Sequence, residues 1–224
     1  MTDIRQQKIE AARVALAEVK SGMTLGLGTG STSEEFVRLL AESPLAKEVR
    51  CTCTSQKTED LARSLGLALF ALPDVAPLDL AIDGADEIDP QLRLIKGRGG
   101  ALLREKIVEQ QAKRFIVIAD ESKLVKRLGE GVLPVEVTPF AFDVLQRRFV
   151  QMRLHPMVRM HEGSPRVTDE GNRIIDVRVP WGNDIEVVVA KLRDCAGVVD
   201  TGFFPTEATE AIIASAEGIE RMVR

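Results

Sequence analysis

Apolar residues recur along this chain at two spacings, and the alternation between them predicts most of its elements. Ile9, Ala12, Leu16 and Val19 fall at helical spacing within residues 4–20, and Gly22 follows as a left-handed stop. The pattern then repeats as a strand over 23–27, a helix after Ser31, a strand over 49–54, a helix around 57–64, and strands over 68–70 and 78–82. A helix over about 101–113 leads into RFIVIAD, residues 114–120, an apolar run of the kind that forms a central strand covered on both faces. Strands alternating with helices predict an α/β fold built on a Rossmann-like, doubly wound, mostly parallel sheet.

The pattern changes after about Gly129. LPVEVTP reads as a strand, FAFDVLQRRFVQ as a helix, and PRVTDEGNRIIDVRV as two strands joined by a turn at residues 169–172. DIEVVVAKLRD follows as a helix despite its β-branched run, and GVVDTGFF as a strand, an order similar to a ferredoxin-like split βαβ unit. The tail EAIIASAEGIERMV reads as one more strand and helix returning to the first sheet. The expected organisation is a Rossmann-like domain of residues 1–130 plus 204–224, with a smaller ferredoxin-like α+β domain, residues 131–203, inserted into it.

Composition narrows the partners. At 224 residues and 45% hydrophobic content the chain can bury a sizeable core, and no apolar stretch approaches the ~20 residues that cross a bilayer. The start MTDIRQQKIE lacks the apolar centre of a signal peptide, so a cytoplasmic protein with no membrane partner is expected. A net charge of -4, no Tyr and one Trp supply neither the basic surface nor the stacking aromatics that bind nucleic acid. Cys51, Cys53 and Cys195 are odd in number and form no CxxC pair; they read as small buried apolar residues, not as a disulfide framework or a zinc site.

Residues that carry chemistry gather behind the strands. LAIDGADEIDP, residues 80–90, sets Asp83, Asp86, Glu87 and Asp89 close together, and their repulsion must be offset by solvent, a cation, basic residues or a hydroxyl-rich ligand. GLGTGSTS, residues 26–33, is a glycine-rich turn in which Ser31, Thr32 and the free N–H groups of the next helix can receive an anion such as phosphate. Ser31 stands where a G-x-G-x-x-G fingerprint requires glycine, and no lysine follows the last glycine as in a P-loop; a plain capped helix start remains an equal reading. IKGRGGALLREK, residues 95–106, offers Lys96 to steady a developing oxyanion and Glu105 as a base, although each alone reads more readily as solvated charge. ADESK, residues 119–123, adds Lys123. Ligands of open α/β sheets bind at the carboxyl ends of strands, so one pocket shared by these four strand ends is the economical reading.

GLGTGST, DGADEID, KGRGGALLREK and ADESK, in that order and spacing, resemble the class A ribose-5-phosphate isomerase family, and the likeness extends through LPVEV and DEGNRIIDV. The resemblance implies an aldose-ketose isomerase that interconverts ribose 5-phosphate and ribulose 5-phosphate through an enediolate, in the non-oxidative branch of the pentose phosphate pathway, with neither metal nor organic cofactor. It implies a phosphate held by Thr29, Gly30, Ser31 and Thr32 with Lys123, and a further contact from Lys8. The stretch Asp83, Gly84, Ala85 and Asp86 would face the sugar, its two acids assisting ring opening, with Lys96 and Lys123 limiting the repulsion of the acid cluster. Lys96, Gly97, Arg98 and Gly99 form the second turn; Lys96 steadies the enediolate and Glu105 carries the proton between C2 and C1. Arg98 interrupts what is often an unbroken glycine run, and could lie outside the pocket or add a phosphate contact. A homodimer or dimer-based tetramer is also implied.

Three rival readings stand beside it. A related lactonase or amino-sugar phosphate deaminase shares the architecture, but such deaminases use an active-site histidine, and His155 and His161 fall in the expected small domain. A sugar-phosphate sensor needs a DNA-binding module, for which a first strand near residue 23 leaves no room. A divalent cation at DGADEID is opposed by two nearby lysines and by a spacing unlike an EF-hand loop.

Overall fold

The computed structural model describes residues 3–224. Its central sheet has six strands in the spatial order Gly218–Val223, Glu210–Ser215, Phe115–Asp120, Leu80–Asp83, Thr24–Leu27, Arg50–Cys53. Neighbouring strands are parallel throughout, save for the antiparallel edge strand Gly218–Val223. Numbered along the chain, the parallel strands follow the doubly wound order 2-1-3-4-5, which reverses direction between Thr24–Leu27 and Leu80–Asp83. Every residue of Leu80–Asp83 and Phe115–Asp120 is buried, because both faces are covered.

Side chains alternate across these strands, so each strand feeds two cores. On one face Ile116, Ile118 and Ile212 meet helices Ile4–Leu16 and Ser31–Glu42 through Ala11, Ala15, Phe36, Val37 and Leu40. On the other, Phe115, Val117 and Ile213 meet Ile88, Leu92, Leu94 and Phe204. That second layer includes a small antiparallel sheet of Glu87–Ile88, Leu94–Ile95 and Phe203–Phe204, beside helix Leu102–Glu109, whose Val108 packs on Val75 and Leu78.

Between the last two parallel strands of the chain, residues 133–201 form a separate antiparallel sheet in the order Val198–Thr201, Leu133–Val137, Arg173–Val177, Met157–Val158. Helices Phe142–Gln151 and Ile185–Arg193 press Leu145, Phe149, Val188, Val189 and Leu192 into its core. With the helices, this is the βαββαβ order of a ferredoxin-like unit, strands arranged 4-1-3-2.

The structure departs from the sequence reading in five elements, the first being GVVDTGFF, which divides into Val198–Thr201 and Phe203–Phe204 in two different sheets. The tail is a strand pair, not a strand and a helix: Gly218, at φ 131, closes a tight turn after Ser215, and the six residues left are too few for a stable helix but enough to add an edge strand. Within 165–179 only the second half is a full strand. Arg173–Val177 pairs with Met157–Val158, while Met160–His161 and Ser164–Pro165 form their own hairpin. The expected strand over 68–70 is a single bridge between Cys51 and Leu69. The helix expected to reach residue 113 ends at Glu109.

Candidate active site

The glycine-rich turn after Thr24–Leu27 lies where the sheet order reverses. Gly28 is required there because a Cβ would sit 2.1 Å from the Asp83 carboxyl carbon. Gly30, at φ 111, caps helix Ser31–Glu42 without a side-chain hydrogen bond. The first amides of that helix therefore stay available at the positive end of its dipole. Lys8 Nζ donates to Ser31 Oγ at 2.9 Å, and Gln7 Nε2 donates to Glu121 Oε1 at 3.0 Å, which ties the first helix to the turn bearing Lys123. Among the described residues Lys123 forms no ion pair. Two ammonium groups and a helix N-terminus thus border one space.

That space is a cavity of about 100 Å³ lined by Lys8, Thr29, Gly30, Ser31, Thr32, Gly84, Ala85, Asp86, Lys96, Gly97, Gly99, Glu105 and Lys123. Ser33, which the sequence reading did not single out, lines it too. A wider groove elsewhere, between Phe70, Ile107 and Val108, has its charges already paired, Arg63 with Glu59 and Arg104 with Glu170. Neither His155 nor His161 borders the cavity.

Asp83, expected at the sugar, is placed differently, and of the two positions left open for Arg98 the structure takes the one outside the pocket. Asp83 is buried behind the cavity wall: Oδ1 accepts from Thr29 N at 2.9 Å, Ser33 Oγ at 2.8 Å and Gly84 N at 2.6 Å, and Oδ2 lies 2.8 Å from Lys96 Nζ. Its oxygens are occupied by the scaffold. Arg98 turns its guanidinium away, 3.6 Å from Glu87, while its amide donates to Asp86 Oδ2 at 2.8 Å. Thr29 lines the cavity, but its hydroxyl hydrogen-bonds Thr54 and Ser55 at 2.7 Å each.

The acid cluster is offset by neighbours inside the fold. Glu87 accepts the amides of Gly129 and Gly131 at 2.7 Å each, and Asp89 takes two backbone amides and the Arg93 guanidinium. Lys96 serves Asp83 as expected; Lys123 serves none of the four acids, and Arg93, Arg98 and backbone amides act in its place. Asp86 alone among them lines the cavity.

Lys96 and Glu105 face each other across this wall. Lys96 is 2% exposed, donates to Gly84 O at 2.6 Å, and approaches Glu109 Oε1 at 3.1 Å and Glu105 Oε2 at 4.0 Å. Phe115 and Phe204 flank its ammonium at 5.7 and 5.6 Å. Burial alone would lower the Lys96 pKa, but Asp83, Glu105 and Glu109 raise it above the ordinary lysine range, so the ammonium form is held. Among the described residues Glu105 Oε2 has no hydrogen-bond partner. Burial pushes the Glu105 pKa up to about 8, against Lys96 and with Asp83 and Asp86.

The second glycine-rich turn is fixed from the ferredoxin-like unit. Arg159, paired with Asp176, donates to Gly97 O at 2.5 Å and Arg98 O at 3.1 Å, and Arg166 donates to Gly99 O at 2.6 Å. With the turn's carbonyls committed to arginines, its amide edge is set relative to the cavity.

A doubly wound α/β protein with an anion cradle at the switch point, a buried ammonium and a carboxyl poised near neutrality is an acid-base enzyme site for a small phosphorylated substrate. The comparisons with known proteins name the particular family. The family model described as ribose 5-phosphate isomerase A (phosphoriboisomerase A) matches residues 50–218. Ribose-5-phosphate isomerase A of Sinorhizobium fredii is 48% identical over 223 residues, covering 96% of each chain. That of Deinococcus radiodurans is 44% identical over 227 residues, covering 99% of this chain and all of its own. Among solved structures, a D-ribose-5-phosphate isomerase in complex with phospho-erythronic acid superposes with a TM-score of 0.94 at 36% identity over the whole of both chains. Ribose 5-phosphate isomerase A from Methanocaldococcus jannaschii gives 0.92 at 36% identity, covering 99% of this chain and 100% of its own. The chain belongs to the ribose 5-phosphate isomerase A family.

Proposed function

We propose that this protein interconverts ribose 5-phosphate and ribulose 5-phosphate by proton transfer through an enediolate, without a metal or organic cofactor. The observation that carries the reading is Glu105: a buried, unpartnered carboxyl oxygen 4.0 Å from a buried ammonium, in a cavity that ends in an anion cradle. The family's curated members bear the same activity in their names. A phosphorylated four-carbon acid, bound by a solved relative, joins a phosphate to a second anionic group, which is the charge pattern that the cradle and Lys96 would receive.

The phosphate sits on the N–H groups of residues 31–33 with Lys8 and Lys123, where helix dipole and ammonium charge add. Glu105 removes the proton from C2 of the open aldose, the C1 carbonyl oxygen takes negative charge, and Lys96 holds that charge. Asp86, at the cavity wall, moves the proton between the C2 hydroxyl and O1 and assists ring opening. Glu105 then returns its proton to C1, giving the ketose and regenerating the base. Asp83 acts behind Lys96 as its counter-ion, and Gly84, Ala85, Gly97 and Gly99 shape the wall. Arg98 contributes its amide to Asp86.

The chain is further proposed to work in the cytoplasm, in the non-oxidative pentose phosphate branch, as a homodimer or dimer-based tetramer; the exposed Phe140, Val144 and Val150 around helix Phe142–Gln151 support such contacts. The division into residues 1–130 plus 204–224 and residues 131–203 is proposed with it. Assaying ribose 5-phosphate and unphosphorylated ribose in excess EDTA tests the reading: turnover of the phosphate ester alone, undiminished by chelator, is expected. No turnover of either would sink it.

A further inference from the structure

Glu109 closes helix Leu102–Glu109 one turn beyond Glu105, on the same face, and the mechanism above gives it no role. Its side chain is 0% exposed, its Oε1 lies 3.1 Å from Lys96 Nζ, and neither of its oxygens has a hydrogen-bond partner among the described residues. The ammonium already serves Asp83 Oδ2 at 2.8 Å and Gly84 O at 2.6 Å, and its contact with Glu109 is an ion-pair approach at 3.1 Å. The groups facing Glu109 are Lys96 from the turn, Asp83 from the strand end and Glu105 from its own helix. With Asp83, Glu105 and Glu109 all ionised against Lys96, this dry cluster would hold two uncompensated negative charges, and a buried carboxylate in that position takes up a proton.

We propose that Glu109 is a positioning residue held as the neutral acid: its hydroxyl donates to Asp83 Oδ2, its carbonyl oxygen accepts from Lys96, and the closed network fixes the ammonium while leaving Glu105 to titrate. Burial, reinforced by Asp83 and Glu105 and opposed by Lys96, holds the Glu109 carboxyl well above the usual carboxylate range. The acid is consumed nowhere in the cycle; it orients a donor and keeps the cluster's charge low enough for Glu105 to ionise. The catalytic consequence rests on the isomerase reading, whereas the protonation state does not.

Infrared difference spectra at about pH 9, a unit above the value to which Glu105 is pushed, read the protonation state directly. The full-length protein is expected to show a protonated-carboxyl C=O band that disappears in Glu109→Gln. Kinetics then test the role. The amide can replace both hydrogen bonds, so Glu109→Gln is expected to keep kcat within about threefold and leave the acid limb of kcat/KM in place. Glu109→Leu, which keeps the volume but not the bonds, is expected to lower kcat about tenfold or more with little change in KM, because the phosphate cradle is untouched. A band that survives Glu109→Gln, an acid limb that moves to lower pH in that variant, or a Leu variant matching the original kcat would each overturn the proposal. If the unmodified protein fails to isomerise ribose 5-phosphate, the spectrum still decides the protonation state, so the two readings fail separately.

Discussion

Lys96 Nζ lies 2.8 Å from Asp83 Oδ2, and both side chains are shut away from solvent, at 2% and 1% exposure. A pair so placed is strongly asymmetric in its response to mutation: removing one partner leaves the other charge buried and unpaired. Asp83→Asn is expected to cost about 3–5 kcal/mol of stability and most of kcat, measured by urea unfolding and by turnover at a temperature where the variant stays folded. A variant as stable and active as the original would show that Asp83 neither holds Lys96 nor serves the reaction.

Glu105 governs the pH dependence of activity. With its pKa pushed up to about 8 by burial, the free protein carries a largely protonated base at neutral pH, so kcat/KM is expected to rise with pH through an acid limb near that value. A pH–rate profile of kcat/KM checks this. A limb in the ordinary carboxylate range near pH 4.5 would contradict the placement of Glu105.

The same residue governs part of the stability. The folded protein binds a proton on Glu105 that the unfolded chain releases near 4.5, so stability from this group is fully present below 4.5 and is lost as pH rises toward about 8. Glu105→Gln, which cannot ionise, is therefore expected to be the more stable protein at pH 8.5 by about 1–3 kcal/mol, with the advantage shrinking at pH 5. Denaturant midpoints at the two pH values measure it; a variant equally destabilised at both would overturn the argument.

Substrate capture and chemistry should separate by mutation. Lys123→Met removes a cation from the rim of the cradle and is expected to raise KM about tenfold or more, with a smaller effect on kcat and a weaker salt dependence. Arg159→Leu acts from the other side, freeing the carbonyls of Gly97 and Arg98, and is expected to lower kcat more than it raises KM. Steady-state kinetics at two salt concentrations distinguish the two patterns.

Much of this was legible in the residues themselves. The apolar run FIVIAD announced a central strand, and each of the four strand ends contributes to one cavity, through Gly30, Asp86, Lys96 and Lys123 among others. Short elements defined by their partners were not legible: Met157–Val158 is two residues long and exists as a strand because Arg173–Val177 lies beside it. Side-chain direction was equally hidden, so Asp83 and Asp86, three residues apart in one motif, read as equals although one serves the scaffold and the other the cavity. Glu109 lies in the charged stretch REKIVEQQAK, whose composition alone gives no sign of an inward-facing acid. The available signal was helical spacing from Leu102, which carries Glu105 and Glu109 on the same inward stripe at i+3 and i+7.

The most direct test of the account is solvent deuterium incorporation and ketose formation from ribose 5-phosphate by the protein and by Glu105→Gln, in excess EDTA. The account predicts both reactions in the unmodified protein and a loss of about 100-fold or more of each in a folded variant that still binds the phosphate ester. Exchange and isomerisation surviving within tenfold in Glu105→Gln would contradict the assignment of the base.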